Sequence, residues 1–401
     1  MTSTVSGPGT TVPGRPWYRD TTQRLLFAGS LLDSFAFFGT MPFLTLYLSD
    51  LSAMTEVQIG MVVGSAALIP AFGGFAGGTL GDRIGALGLV QAGVVTYVVA
   101  YALLAVAREL PVVIALVMLL GVARLMVEPS MKKIMSQATE ETDGAVFRLR
   151  YLTWCIGAVV GPAIGAAAYA VEKWLIFVWP ALVFLVFLLL LRVHAPKLRF
   201  ADGPGAGERV PWARVVTDRL LLRVVAAGFV LYFVFKQLDS MLPLFIKAER
   251  GASAVGYYSV LLAVNAVLGI LFQFPVARMS KRISTPGMAL LGSCAFAAAF
   301  LFFAALPFGT GFLFAGIAAW TLGEVILIPL PDMVIHQNTP NGSKGAYFGL
   351  AELRFAGFFL GPVVGGAILG GAGSWTYFIS MALCSFGCWA LLRAPHLHRV
   401  T

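Results

Sequence analysis

Long apolar runs separated by short polar breaks make up most of this chain from residue 25 onward. A helix needs about 20 apolar residues to cross a bilayer. Twelve stretches approach that length: 25–48, 57–80, 88–107, 110–131, 147–171 and 174–191, then 224–246, 254–277, 286–306, 309–335, 345–369 and 374–392. One substantial hydrophilic segment, His194–Asp218, separates the first six from the last six. It holds Pro196, Pro204, Gly205, Gly207 and Pro211, and Trp212 with its neighbouring charges suits a short interfacial helix. The pattern predicts an all-α membrane protein of twelve transmembrane helices in two six-helix bundles. Its parts are a tail over 1–24, a bundle over 25–193, a linker over 194–220, a second bundle over 221–393 and a tail over 394–401. The opening residues 1–16 are polar and rich in Gly, Pro and Thr. They lack the apolar centre of a cleaved signal peptide and read as a disordered tail.

Composition agrees with this picture. Of 401 residues 59% are hydrophobic and 12% charged, whereas a soluble domain carries roughly twice that share of charge. Basic residues set the orientation. With the N-terminus in the cytoplasm, one set of loops and tails holds 21 Lys/Arg residues, from Arg15 through Lys132, Lys133, Arg148 and Arg150 to Arg399. The opposite set holds Arg108, Lys173, Lys247 and Arg250. Both termini and the linker are therefore expected in the cytoplasm, and the net charge of +9 reflects topology. Basic residues scattered over separate loops argue against a nucleic-acid surface. Cys155, Cys294, Cys384 and Cys388 lie in apolar runs and read as packing residues.

The two halves repeat. Gly157-x-x-x-Gly161-Pro162-x-x-Gly165 near the start of the fifth run returns as Gly357-x-x-x-Gly361-Pro362-x-x-Gly365 near the start of the eleventh, 200 positions on. At the same offset Pro129 meets Pro329 and Arg124 meets Glu324. Glycines four apart leave a smooth face for close helix approach, and a membrane-embedded proline bends its helix. The motif can serve plain helix packing or a hinge that also seals a cavity. Parallel repeats of six spans suit a transporter that rocks one bundle against the other.

Between the second and third runs stands Gly78-Thr79-Leu80-Gly81-Asp82-Arg83-Ile84-Gly85. With the Gly-Pro repeats, it resembles the loop motif of the major facilitator superfamily. In that resemblance Gly78, Asp82, Arg83 and Gly85 form a conformational latch, with Asp82 taking donors from a neighbouring helix end and Arg83 a carboxylate. The usual basic pair after the last glycine is replaced by Ala86 and Leu87, and the second-half counterpart around residues 278–282 is degenerate. The Gly-Pro motif is similar to one associated with antiporters. Leu120-x-x-x-Arg124 resembles the fourth-helix motif implicated in proton coupling, with Val127 and Glu128 where glutamine and glycine are usual. Glu128-Pro129, Glu324 and residues 342–350 resemble bacterial drug:proton antiporters of the multidrug-resistance exporter type.

Charges inside the runs are the candidate chemistry, because each costs about 2.5–3.5 kcal/mol at a helix centre unless paired or wetted. They are Asp33, Arg124, Glu128, Lys236, Asp239, Glu324, Asp332, Glu352 and Arg354. Arg124 and Glu128 are four apart on one face, so the arginine is expected to hold the carboxylate. Lys236 and Asp239, three apart, form a second expected pair. Asp33 has no partner in its own helix, and a desolvated lone carboxyl favours its protonated form, which suits a proton carrier. Asp332 reads as interfacial. Glu352 and Arg354 point to different faces, and Arg354 is expected to snorkel or meet a carboxylate on another helix. Asp33, Arg124, Glu128, Glu324 and Asp239 are the proton-coupling candidates. Phe35, Phe38, Tyr232, Lys236, Gln237 and Asn265 are candidate lining for a substrate cavity.

These features point to a secondary transporter in a bacterial cytoplasmic (inner) membrane, exchanging protons for small amphipathic or cationic molecules. Its expected partners are that substrate, protons and lipid, it acts as a monomer, and it needs no cofactor or metal. A carrier for one metabolite (siderophore, peptide, lipid or sugar), as importer or exporter, is the alternative. A membrane-embedded enzyme is disfavoured, because the chain has no HExxH, GxSxG or Walker sequence.

Overall fold

The computed structural model describes residues 21–51, 56–138, 145–198 and 210–393. Residues 1–20 and 394–401 of the expected tails and 199–209 of the linker therefore lie outside the described residues. Among those described, the chain is helical with no strand. The first half comprises α1 (Thr21–Leu51), α2 (Glu56–Ile84), α3 (Ala86–Val106), α4 (Leu110–Gln137), α5 (Ala145–Val171) and α6 (Leu175–Val193). Short helices α7 (Ala195–Leu198) and α8 (Trp212–Thr217) flank the undescribed part of the linker, α8 falling where Trp212 suggested one.

The second half is more broken. Its first span is split into α9 (Arg219–Phe235), α10 (Gln237–Ser240) and α11 (Leu242–Arg250). Next come α12 (Ala254–Ser280) and α13 (Thr285–Ala304), then a pass split into α14 (Gly311–Leu327) and α15 (Leu330–Asn338). The chain closes with α16 (Lys344–Ala351) and α17 (Ala356–Leu392), the latter divided at Gly373. Ten helical stretches are long and apolar enough to cross a membrane. Adding the 29-residue α2 and counting the 344–392 run as two arms about Gly373 matches the twelve expected from sequence.

Several breaks have a local cause. Gly373 turns the chain at φ 83° and Gly85 ends α2 at φ 104°, a left-handed region that favours glycine. Pro111 and Pro286 stand in the first turns of α4 and α13, where a missing N–H costs nothing. Asp218 caps α9 by accepting the N–H groups of Leu220 and Leu221 at 2.8 and 3.2 Å. The outer surface is apolar, with Phe72, Leu182, Leu189, Phe274, Val363 and Leu383 exposed, as lipid contact requires.

The same packing recurs in both halves. In the first, α5 lies on α1; in the second, α17 lies on α9. The repeated glycines form both seams. Gly157, Gly161 and Gly165 press against Ser34, Phe38, Gly39 and Phe43. Gly357, Gly361 and Gly365 press against Phe229, Phe233 and Gln237. The seams thus lie inside each half rather than between halves, so close packing is what the motif builds.

Contacts between the halves gather along α2–α16, α4–α16 and α5–α12. Most side-chain contacts among these lie toward the face that carries the breaks after α2, α4 and α15, hereafter the latch face. Two pairs of positions exactly one repeat apart meet there. Lys132 Nζ lies 3.8 Å from Asp332 Oδ2, and Ser136 Oγ lies 2.6 Å from His336 Nδ1. Residues related by the duplication touch where the two halves share an axis.

Candidate functional site

A cavity lies between the halves, and its wall holds seven ionisable side chains: Asp33, Arg124, Glu128, Lys132, Arg150, Asp332 and Arg354. Aromatic lining comes from Phe147, Tyr151 and Trp154 on α5 and from Tyr232, Phe235, Phe355 and Phe358 in the second half. Asp33, Arg124 and Glu128, picked out from sequence, therefore share one chamber, and Tyr232 lines it as expected. Phe35, Phe38, Lys236, Gln237 and Asn265 are not in its wall. Phe38 packs edge-on to Trp154 at 4.7 Å. Gln237 donates to the Gly361 carbonyl at 2.8 Å and accepts from the Tyr377 hydroxyl at 2.9 Å, so it braces the α9–α17 seam.

The pairing differs from expectation in one respect. Glu128 is held by Arg150 of α5 at 2.5 Å, with Lys132 at 3.9 Å. Arg124 makes no ion pair within 4.0 Å among the described residues, and its guanidinium sits 4.9 Å from the centre of the Phe37 ring. A side chain one turn away on the same helix lost to one on a neighbouring helix whose reach and direction matched better. Asp33 likewise has no ion-pair partner among the described residues, in keeping with its isolation on α1.

Asp332 is buried within the protein and lies 2.7 Å from Arg354 Nη2, so Arg354 meets a carboxylate on another helix rather than snorkelling. Lys132 reaches across to the second half, 2.5 Å from Glu352 Oε1. The sequence pattern counts Lys132, Lys133, Arg148 and Arg150 with the loop charges, although its fifth run already starts at residue 147. Helix α4 runs on to Gln137 and buries both lysines, while Arg148 and Arg150 belong to α5. One signal could have found the pair at the centre. The 200-residue offset that aligns Pro129 with Pro329 also aligns Lys132 with Asp332, opposite in charge.

Glu324 and Asp239 lie apart from this chamber. Glu324 is buried and accepts from Asn265 Nδ2 at 2.9 Å; the same amide reaches Thr321 Oγ1 at 2.9 Å. No cation lies within 4.0 Å of it among the described residues. Asp239 pairs with Lys236 at 3.1 Å in a partly exposed position where α9 gives way to α10.

Below the chamber, at the latch face, Asp82 accepts the N–H groups of Gly345 and Ala346 at 3.1 and 2.8 Å. These are among the first, unbonded donors of α16, where a carboxylate is stabilised by the helix dipole. Lys133 adds an ion pair to Asp82 at 2.9 Å. Gly78 and Gly345, and one turn away Gly74 and Gly349, bring the α2 and α16 backbones into direct contact. Arg83 does not take the role the resemblance implied. It is exposed and makes no ion pair among the described residues. Tyr347 adds a bond to Asp218 at 2.7 Å, tying the start of α9 to α16.

Known proteins agree with this architecture. The sequence pattern described as Major Facilitator Superfamily matches residues 26–356. The uncharacterized MFS-type transporter YqjV of Bacillus subtilis is 27% identical over 365 residues, covering 89% of this chain and 88% of that protein. The multidrug resistance protein MdtH of Edwardsiella ictaluri is 24% identical over 353 residues, covering 88% and 85%. The crystal structure of the human organic anion transporter MFSD10 (TETRAN) superposes with a TM-score of 0.74 at 17% identity, covering 93% of this chain and 100% of that one. A paired-half helical fold, a charged central chamber and an Asp82 contact between the halves thus coincide with a family match over most of the sequence: the chain is an integral membrane transporter, not an enzyme, and belongs to the Major Facilitator Superfamily.

Proposed function

We propose that this protein is a proton-coupled antiporter that expels small amphipathic molecules across a bacterial cytoplasmic membrane by alternating access. The excess of Lys/Arg on the latch-face side supports placing that face, the linker and both termini in the cytoplasm. The excess survives removal of the buried Lys132, Lys133, Arg148 and Arg150. In this reading the structure is closed to the cytoplasm. The observation that carries the proposal is the chamber itself: an ionisable carboxyl, Asp33, stands without an ion partner beside an aromatic wall, above a closed contact between halves. A group of that kind can give up a proton when substrate arrives and regain it when substrate leaves. Likeness to a protein named for multidrug resistance supports export of varied compounds.

The geometry supports alternating access. Opening the latch face requires parting α2 from α16, removing Asp82 from two N–H donors and separating Lys132 from Glu352. The glycine seams keep each half rigid while this happens. The test is proton movement in everted membrane vesicles acidified by respiration and monitored with a pH-quenched dye. An antiporter releases luminal protons when a substrate is added outside, and vesicles lacking the protein do not. A panel of amphipathic cations, zwitterions and anions is added in turn. If no member relieves quenching, while substrate carried inside with the lumen drives proton exit, the protein is a symporter and the proposal fails.

A further inference from the structure

Eight ionisable side chains gather in and just beneath the chamber, and six of them fall into three ion pairs. Glu128 is paired with Arg150, Asp332 with Arg354 and Glu352 with Lys132, at 2.5, 2.7 and 2.5 Å. The two left over are Asp33 on α1 and Arg124 on α4, opposite in sign and both in the chamber wall. They are also partly exposed, whereas Glu128, Asp332, Glu352, Lys132 and Arg354 are buried. The chamber charges without an ion partner among the described residues are therefore one carboxylate and one guanidinium. Both are held by the first half, and the second half supplies aromatic surface from Tyr232, Phe235, Phe355 and Phe358.

We propose that the chamber selects aromatic zwitterions, molecules whose ammonium group pairs with Asp33 and whose carboxylate pairs with Arg124 around an aromatic body. The proposal rests on the transport reading above and names its substrate class. With Asp33 ionised the cluster is balanced, four acids against four bases, and its two leftover charges each call for a counter-charge from the ligand. A simple cation would satisfy Asp33 and strand Arg124; a simple anion would do the reverse. A molecule with both groups satisfies both and leaves the balance unchanged. A guanidinium suits the second partner because its planar fork matches a carboxylate. Coupling follows as well. A proton and the substrate ammonium compete for the Asp33 carboxylate, so each arrival favours departure of the other.

The test is equilibrium binding to the purified full-length protein in lipid nanodiscs at pH 7, with no gradient present. Three matched probes are compared: the dipeptide phenylalanyl-phenylalanine, its C-terminal amide (a cation) and its N-acetyl derivative (an anion). The expected result is binding of the dipeptide at least tenfold tighter than either relative. Asp33→Asn should erase its advantage over the N-acetyl derivative, and Arg124→Gln its advantage over the amide. Arg124→Lys, which keeps the charge, should retain most of that advantage and shows that loss in Arg124→Gln is not misfolding. Binding of the amide or the N-acetyl compound as tight as the dipeptide overturns the proposal. So does failure of all three to bind, or an unchanged ranking in folded variants. Because no proton gradient is used, a preserved ranking alongside absent proton exchange in vesicles would sink the antiport reading alone.

Discussion

Replacing Lys132 with methionine keeps most of the length of the side chain and removes its charge at the contact between halves. The ammonium lies 2.5, 3.8 and 3.9 Å from carboxylate oxygens of Glu352, Asp332 and Glu128. Asp332 and Glu128 each retain an arginine, but Glu352 has no other ion partner among the described residues and is fully buried. Removing one member of a buried pair costs roughly 3–5 kcal/mol. Lys132 and Glu352 belong to different halves and meet water when these separate, so the cost falls on the state closed at the latch face. At 1.4 kcal/mol per tenfold change, the ratio of open to closed molecules should rise on the order of 10²- to 10³-fold. Spin labels at the exposed positions Ile84 and Lys281, read by double electron–electron resonance, should report a new population at longer distance. Adding Glu352→Met should restore the closed distance, since an apolar pair replaces the stranded charge. A distance distribution unchanged in Lys132→Met would refute the reasoning.

Three further outcomes are expected. Gly161→Leu and Gly361→Leu each force a side chain into Phe38 or the Phe233 carbonyl, and should abolish transport while protein still reaches the membrane; normal transport by both would reduce the motif to incidental packing. Gly78→Val places a side chain against the Gly345 backbone and should favour the latch-open state by the same spin-label assay. Asp50→Ala removes an exposed cluster with Lys173 and Tyr169 on the opposite face. There the Lys173 and Tyr169 hydrogen bonds hold the Asp50 carboxyl below the usual range, and losing them should leave vesicle transport within about twofold of wild type, as exposed pairs contribute little.

How far the residues foretold the structure depended on whether a contact was local. The run pattern gave the helices, because a bilayer leaves a backbone few other choices. The Gly-Pro repeats marked the tightest seams, because only glycine permits backbone contact such as Gly165 against Gly39. Ionic partners were harder. Hydropathy cut α4 at Met131 because Lys132 and Lys133 resemble loop residues, although both are buried against carboxylates. A window average treats every charge as facing water and cannot see a partner 220 positions away, as Glu352 is for Lys132. The assumption that Arg124 holds Glu128 failed for the same reason: spacing within one helix predicts proximity, while Arg150 from α5 offers a better approach.

The central claim, that substrate and proton exchange at Asp33, is tested most directly by counting protons released when substrate binds to purified protein in weakly buffered solution. Wild-type protein should release protons on addition of a substrate identified by the vesicle screen. Asp33→Asn should still bind it but release none, because its carboxamide has no proton to give over the working pH range. Release of equal size from both proteins would contradict the account and move the exchanging group elsewhere, with Glu324 the next carboxyl to examine.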